Sequence, residues 1–195
     1  MSVESKVILA SKSPRRRELL SIIEPDYILA PDRDIKEEYP QDLPAAEVPA
    51  FLSGLKSDGY ADIPKGKDIL LTADTIVILD GEILGKPRDE AEAEAMLRRL
   101  SGRTHLVVTG VTLRAEGREP VTFSVTTEVN FAPLSPEDIH LYVSQYHPLD
   151  KAGAYGIQEW IGAAAVESIN GSHYNVVGLP LHRLFKELRA YRAGF

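Results

Sequence analysis

A hairpin signal in the middle of the chain limits the folds open to it. The dipeptide Asp80-Gly81 stands between a long apolar segment, Ile69–Leu79, and a short one, Glu82–Leu84. Asp-Gly favours the tight turn of a hairpin because both residues accept positive φ angles. A second antiparallel pair is predicted for residues 105–114 and 121–131, which are rich in Val and Thr. These hairpins exclude a purely parallel sheet.

Helices are predicted between the strands. Capping residues and helical spacing indicate helices at 14–22, 45–61, 90–100, 136–146 and 179–192. Further strands are predicted at 7–10, 27–30 and 162–169. This interleaving predicts an α/β fold with a mixed central β-sheet flanked by helices. The chain has no internal repeat, and its length suits a single domain over residues 1–195.

Composition narrows the classes of function. The net charge of −7 argues against a broad nucleic-acid-binding face, although a local basic pocket is compatible with it. No apolar stretch has the length of a membrane span, and the first six residues lack a signal-peptide core. Cysteine is absent, which excludes disulfides and thiolate chemistry. We therefore expect a cytoplasmic protein that binds a small partner, and neither nucleic acid nor membrane.

Three consecutive arginines fall where a helix should begin. Ser13 is a natural N-cap and Pro14 fits the first helical position, so Arg15, Arg16 and Arg17 occupy the first turn. The positive end of the helix dipole repels cations at that position. A bound polyanion would reverse this effect, because backbone N–H groups and guanidinium groups would then converge on it. The segment predicts a phosphate-binding turn.

Asp74 interrupts an apolar segment that is predicted to be a buried strand. A carboxylate there is costly unless a metal ion, a basic residue or a water to be deprotonated accompanies it. Simple pairing with a neighbouring lysine, or capping of a bulge, explains Asp74 as well as a catalytic role does. The acidic loop offers Asp32, Asp34, Glu37 and Glu38 as further ligands for a hard cation, although most residues in such a run face solvent.

Two loops present further candidates. Lys86 lies in Gly85-Lys86-Pro87 just after the hairpin, a weak signal for which an ordinary surface lysine is the simpler explanation. The loop 147–158 combines a charge pair, two glycines and Gln158, as loops that line sites often do. Ser172 is predicted to cap a helix rather than bind phosphate. The five histidines lack metal-ligand spacing.

Six segments together resemble the Maf family of nucleoside triphosphate pyrophosphatases. They are residues 9–20, 73–77, 81–87, 96–105, 150–158 and 175–181, and they follow the family order along nearly the whole chain. The resemblance implies a fold shared with inosine triphosphate pyrophosphatases, with two lobes around a cleft, and a homodimer. It also implies hydrolysis between the α and β phosphorus atoms, with Mg²⁺ or Mn²⁺ as cofactor.

The resemblance also implies a role for particular residues. Asp74 corresponds to the catalytic aspartate, which accepts a proton from water, and with Glu37 it would bind the metal. The residues implied to bind phosphate are Ser13, Arg16, Lys56, Lys86 and Lys151. The residues implied to govern substrate choice are Arg15, Thr75 and Gln158. The Ser-Pro-Arg-Arg and Gly-Ile-Gln segments resemble the branch that acts on dTTP and UTP.

Several positions depart from the family pattern. Lys36 lies beside the expected metal ligand, Ser57 follows Lys56 where alanine is usual, and Pro49 interrupts the preceding helix. Glu159-Trp160 replaces a small, glycine-containing turn beside Gln158. Two alternatives stay open: an enzyme acting on methylated-guanosine or noncanonical purine triphosphates, and a nucleotide-sensing regulator of cell division without significant turnover.

Overall fold

The computed structural model describes residues 5–195 and contains a mixed α/β fold. Residues 1–4, at the start of the predicted single domain, lie outside the described residues. The strands are β1 (Val7–Leu9), β2 (Ile28–Leu29), β3 (Ile69–Leu79), β4 (Glu82–Leu84), β5 (Thr104–Arg114), β6 (Val121–Phe131) and β7 (Val166–Asn170). The helices are α1 (Pro14–Ile23), α2 (Val48–Gly59), α3 (Glu90–Leu100), α4 (Pro136–Tyr146), α5 (Trp160–Ala164), α6 (His173–Val177) and α7 (Leu181–Ala193).

The strands of the described chain form one sheet in the order β2-β1-β3-β5-β6-β7, with β4 paired to β3. β1 is parallel to β2 and to β3, whereas β4 is antiparallel to β3 and β7 is antiparallel to β6. Side-chain hydrogen bonds join Thr112 to Thr122 at 2.8 Å and Thr104 to Asn130 at 3.1 Å, so β5 and β6 are antiparallel. The predicted mixed sheet flanked by helices is confirmed.

The chain divides into two compact units. The first contains the chain up to Asp74 together with Thr109–Val125 and Gly178–Phe195, and the second contains Thr75–Val108 and Thr126–Val177. An apolar cluster of the first unit contains Ile8, Ala10, Tyr60 and Leu70. A larger cluster in the second unit is built on Leu97, Phe131, Tyr142, Tyr155 and Ile161. No helix within residues 5–195 is long and apolar enough to cross a membrane.

Local signals explain the boundaries of several elements. Asp80 adopts φ 53° and Gly81 φ 82° in the β3–β4 turn, as the Asp-Gly signal predicts. Asp89 caps α3 by accepting from the backbone N–H of Glu92 at 2.8 Å. Ser135 and Asp138 form a reciprocal capping box at the start of α4.

The strand predicted at 162–169 is partly wrong. Residues 160–164 form the short helix α5, and the strand β7 begins only at Val166. The backbone N–H of Gly162 donates to the carbonyl of Glu159 at 2.9 Å, which closes the first helical turn. A Cβ at Gly162 would lie 1.8 Å from the carbonyl oxygen of Ile157, so only glycine allows this turn. The alanines that follow are strong helix formers, and they favour helix over strand.

Candidate active site

The arginine turn of the first unit has the predicted helix start. The Ser13 hydroxyl accepts from the backbone N–H of Arg16 at 3.4 Å, and Pro14 occupies the first position of α1. The Arg16 side chain donates from Nε to the carbonyl of Gly178 at 2.9 Å and from Nη1 to the carbonyl of Ala73 at 3.0 Å. Backbone carbonyls therefore hold this guanidinium beside β3, a stabilisation of the arginine turn that does not depend on an anion.

The positions of the other two arginines differ. A terminal nitrogen of Arg17 donates to the carbonyl of Ser11 at 3.3 Å, which closes the turn on itself and fits a structural role. Arg15 is half-buried in the first helical turn. Loss of hydration lowers the pKa of Arg16, and the nearby Asp74 carboxylate opposes that effect. An arginine stays protonated under all ordinary conditions, so Arg16 carries its charge beside β3.

Asp74 lies in the middle of β3 and is 9% exposed. Its Oδ1 atom is 2.7 Å from Nζ of Lys56, which is in the last turn of α2. The same ammonium lies 2.9 Å from Oε2 of Glu37 in the acidic loop. The structure thus brings together three residues that the sequence singled out separately. Lys56 is the basic partner that a buried carboxylate at position 74 requires.

Close packing of α2 fixes the position of Lys56. The Thr72 hydroxyl donates to the carbonyl of Ser53 at 2.7 Å, and the hydroxyls of Ser53 and Thr112 are 2.9 Å apart. A Cβ at Gly110 on β5 would lie 2.2 Å from the backbone of Pro49. The helix backbone therefore lies directly on the sheet. Pro49 is at the second position of α2, where proline is tolerated because that N–H needs no helical partner.

The acidic residues around Asp74 carry oxygen donors of the kind that a divalent cation binds. Within residues 5–195, no group of three or more His, Cys, Asp or Glu side chains could hold a metal ion. Glu37 and Asp74, the two expected ligands, meet at the Lys56 ammonium. Mg²⁺ is usually bound by one or two carboxylates, completed by water and substrate phosphates. The oxygen donors of Glu37 and Asp74 fit that requirement.

In the second unit, Lys151 is 8% exposed and pairs with two carboxylates. Its Nζ atom lies 2.7 Å from Oδ1 of Asp150 and 3.1 Å from Oε1 of Glu159. The loop that carries it contains two left-handed residues in succession, Gly153 with φ 67° and Ala154 with φ 60°. Such backbone conformations position the loop, because few other residue pairs adopt them without strain.

Lys86 lies on a second loop of the same unit and is exposed. Among the described residues it has no ion-pair partner. The backbone N–H of Gly153 donates to the carbonyl of Gly85 at 3.0 Å, and this bond joins the Lys86 loop to the Lys151 loop. Thr75 is half-buried on β3 directly after Asp74, and Gln158 is exposed.

Two features of the second unit were missed from the sequence. The Tyr142 hydroxyl donates to Oε2 of Glu159, the residue that also pairs with Lys151. The buried His105 contacts the Tyr155 hydroxyl through Nε2 at 2.8 Å. Neither partnership has a local sequence signal, since 17 and 50 positions separate the partners. Ser172 caps α6 as expected, accepting from the backbone N–H of Asn175 at 3.4 Å.

These arrangements define the class of protein: an α/β protein whose buried, strand-borne carboxylate is paired with a lysine next to an arginine-rich helix start. The family model described as Maf-like protein matches residues 6–191. The chain therefore belongs to the Maf family.

Relatives of this chain match it over nearly their whole length. The dTTP/UTP pyrophosphatase of Bacteroides thetaiotaomicron is 49% identical over 184 residues, which cover 94% of this chain and 95% of the relative. The dTTP/UTP pyrophosphatase of Porphyromonas gingivalis is also 49% identical, over 188 residues that cover 95% of this chain and 94% of the relative. That of Flavobacterium psychrophilum is 40% identical over 181 residues, or 93% of this chain and 92% of the relative.

One solved structure supports the fold. The Ham1 protein of Staphylococcus aureus superposes with a TM-score of 0.58 and 21% sequence identity, covering 95% of this chain and 99% of that one. At this level of identity the likeness shows a shared fold. The mixed sheet flanked by helices is thus common to both proteins.

Proposed function

We propose that this chain is a nucleoside triphosphate pyrophosphatase that hydrolyses dTTP and UTP to the nucleoside monophosphate and pyrophosphate. The observation that carries the proposal is the buried carboxylate of Asp74, placed 2.7 Å from Lys56 in a chain that is 49% identical to dTTP/UTP pyrophosphatases. A carboxylate held beside a cation is suited to accepting a proton next to a negatively charged substrate.

The reaction is the attack of water on the α-phosphorus. The water oxygen forms a new bond to phosphorus as the bond between the α-phosphorus and the bridging oxygen breaks, and pyrophosphate leaves. Asp74 accepts the proton that the attacking water loses. Lys56 contacts one carboxylate oxygen, Oδ1, and Asp74 has a second oxygen that can accept the proton.

Cationic side chains reduce the repulsion between the phosphate chain and the acidic residues. Arg16 and Lys56 in the first unit, and Lys86 and Lys151 in the second, are assigned to phosphate binding together with the Ser13 turn. Charge neutralisation of this kind is the main requirement of phosphoryl-transfer catalysis. Glu37 and Asp74 would hold Mg²⁺ or Mn²⁺, which when bound neutralises phosphate charge and polarises the reacting oxygen atoms.

Substrate choice is assigned to Arg15, Thr75 and Gln158. The Gln158 amide carries both donor and acceptor groups, which suits hydrogen bonding to the edge of a pyrimidine base. Gln158 is exposed and therefore accessible to a ligand. Lys36, which departs from the family pattern beside the expected metal ligand, is also exposed. It forms an ion pair with Glu38 at 2.7 Å, whereas Glu37 pairs with Lys56.

The protein is further proposed to act in the cytoplasm as a homodimer of one Maf-like domain per chain, binding neither nucleic acid nor membrane. The family resemblance supports the dimer, and the net charge of −7 supports the absence of a nucleic-acid partner. Sedimentation velocity at several protein concentrations tests the dimer.

The test of the activity is pyrophosphate release by the purified protein, with and without Mg²⁺ or Mn²⁺. We expect release from dTTP and UTP, and faster turnover of both than of methylated GTP, dITP or XTP. Faster turnover of a purine triphosphate would show that the preferred substrate is a purine nucleotide and not a pyrimidine nucleotide. Tight binding without turnover on the full panel would overturn the enzyme assignment and favour a nucleotide sensor.

A further inference from the structure

The Glu159 carboxylate connects a core tyrosine to the candidate phosphate-binding lysine. Its Oε2 atom accepts from the Tyr142 hydroxyl, and its Oε1 atom lies 3.1 Å from Nζ of Lys151. The side chain of Glu159 is 25% exposed and that of Lys151 is 9% exposed. One carboxylate thus uses its two oxygens for two different donors.

The Tyr142 end of this connection is fixed. Tyr142 is fully buried on α4, and its hydroxyl accepts from the backbone N–H of Gly156 at 3.1 Å while donating to Glu159. The Trp160 ring stacks over the Tyr142 ring with 6.5 Å between centroids. Burial raises the pKa of Tyr142 above its ordinary value, so the hydroxyl keeps its proton and remains a donor. The position of Glu159 is therefore determined by the core.

At the Lys151 end, the ammonium contacts two carboxylates, Asp150 at 2.7 Å and Glu159 at 3.1 Å, and the two differ in hydration. The side chain of Asp150 is 58% exposed, whereas that of Glu159 is 25% exposed. A contact with a less hydrated carboxylate is stronger and more restrictive in geometry. Gly156 leaves room for this contact, because a Cβ there would lie 3.1 Å from both Oε2 of Glu159 and Cε of Lys151.

We propose that Glu159, held by Tyr142, is a positioning residue that sets the direction of the Lys151 ammonium toward the phosphate chain of the substrate. The assignment rests on the proposed function, in which Lys151 binds phosphate. Glu159 does not touch the reacting atoms and acts through Lys151.

The test compares Glu159→Gln, Tyr142→Phe, Lys151→Met and the double variant Glu159→Gln/Lys151→Met. A glutamine is uncharged and replaces one of the two carboxylate oxygens by an NH2 group, so it keeps an acceptor at only one of the two positions that Tyr142 and Lys151 contact. We expect Glu159→Gln to raise KM for dTTP about tenfold, the effect of one charge-assisted contact, with kcat changed less than about threefold. Tyr142→Phe should raise KM by about threefold. This variant keeps the Glu159–Lys151 ion pair, but the Glu159 side chain loses the hydrogen bond that restricts its position.

The double variant separates positioning from a general structural effect. If Glu159 acts through Lys151, Glu159→Gln adds no further increase in KM to a chain that already carries Lys151→Met. Glu128→Gln is the matched control, since exposed Glu128 also accepts one hydrogen bond, from Asn170 at 3.0 Å, and it should leave KM unchanged. Thermal unfolding of each variant checks that the chain is folded.

Three results overturn the proposal: an unchanged KM in Glu159→Gln, a KM effect that multiplies in the double variant, or an equal effect in Glu128→Gln. The affinity for a dUTP analogue that is not hydrolysable between its α and β phosphates is measured in parallel by calorimetry. If the wild type binds this analogue without turning over dTTP or UTP, the proposed function fails. The variants are then compared by their Kd for the analogue in place of KM. A wild type that neither binds nor hydrolyses overturns both.

Discussion

Nε2 of His105 lies 2.8 Å from the hydroxyl of Tyr155 in the interior of the second unit. The Phe131 ring meets both rings edge to face, at centroid distances of 5.0 Å and 4.9 Å. Tyr155 belongs to the loop that carries Lys151, and His105 belongs to β5. The pair therefore fixes a candidate site loop to the sheet.

This pair predicts a pH dependence of stability. Burial lowers the pKa of His105 from 6.5 to about 4. As pH falls below 6.5 the unfolded chain takes up a proton that the folded chain does not, so stability decreases down to about pH 4 and levels off below it. Over that window the loss is roughly 3 kcal/mol. Urea unfolding at pH 7.5 and pH 4.5 should show a smaller decrease in His105→Gln than in the wild type, while exposed His182→Gln should match the wild type.

Replacement of Asp74 tests its assignment as the proton acceptor. Asp74→Asn preserves the size of the side chain and removes its basicity, so pyrophosphate release from dTTP should fall by about 100-fold or more. Asp80→Asn is the control, because Asp80 forms an exposed ion pair with Arg103 on the β3–β4 turn and should leave turnover unchanged. Equal rates in the Asp74 variant and the wild type would remove Asp74 from the mechanism.

Removal of the Lys56 ammonium should destabilise the first unit. Lys56→Met leaves the Asp74 carboxylate, whose side chain is only 13% exposed, without the ammonium 2.7 Å away. We expect a decrease of about 2 kcal/mol in the free energy of unfolding, below the range for fully buried pairs. Lys65→Met, at an exposed ion pair, should change stability by less than about 0.5 kcal/mol. Adding Asp74→Asn to Lys56→Met should recover part of the loss, and no recovery would contradict this account.

Gly153 should not tolerate even alanine. A Cβ there would lie 2.9 Å from Cγ2 of Val77, and the residue has φ 67°. Gly153→Ala should therefore destabilise the protein by about 1–3 kcal/mol. Gly54→Ala is the opposite control, because Gly54 lies within α2 and has no atom within 4 Å of the added carbon. Gly54→Ala should stabilise the protein by up to about 1 kcal/mol. Thermal unfolding measures both variants, and a shift of both in the same direction would refute the steric argument.

Elements with local signals could be predicted from the sequence. The β3–β4 hairpin has its predicted bounds because Asp80-Gly81 specifies the turn, and α3 begins after its capping residue Asp89. The segment 160–164 could not be predicted in the same way. Its apolar residues suit a buried strand or a buried helix equally, and contact between Gly162 and the backbone of Ile157 decides for the helix.

The candidate site was predictable as a set of residues and not as a set of contacts. The family pattern identified Glu37, Lys56 and Asp74 as separate candidates. In the structure the Lys56 ammonium contacts both carboxylates. This contact requires a loop, the end of a helix and a strand to come together in space, and no local pattern predicts that. Likewise, Arg16 was expected to turn toward an anion, whereas its observed hydrogen bonds include two backbone carbonyls. Long-range contacts of this kind leave no trace in local sequence.

The two carbonyl contacts of Arg16 have a consequence for ligand affinity. Restricting a free arginine side chain costs up to about 2 kcal/mol of conformational entropy. The carbonyls of Ala73 and Gly178 already restrict Arg16 in the folded chain, so under the proposed function a phosphate ligand would meet a preorganised guanidinium. That advantage is the same for a triphosphate substrate and for the pyrophosphate product. Arg16 should therefore tighten the binding of both, and pyrophosphate should be a competitive inhibitor whose affinity falls with that of the substrate when Arg16 is replaced.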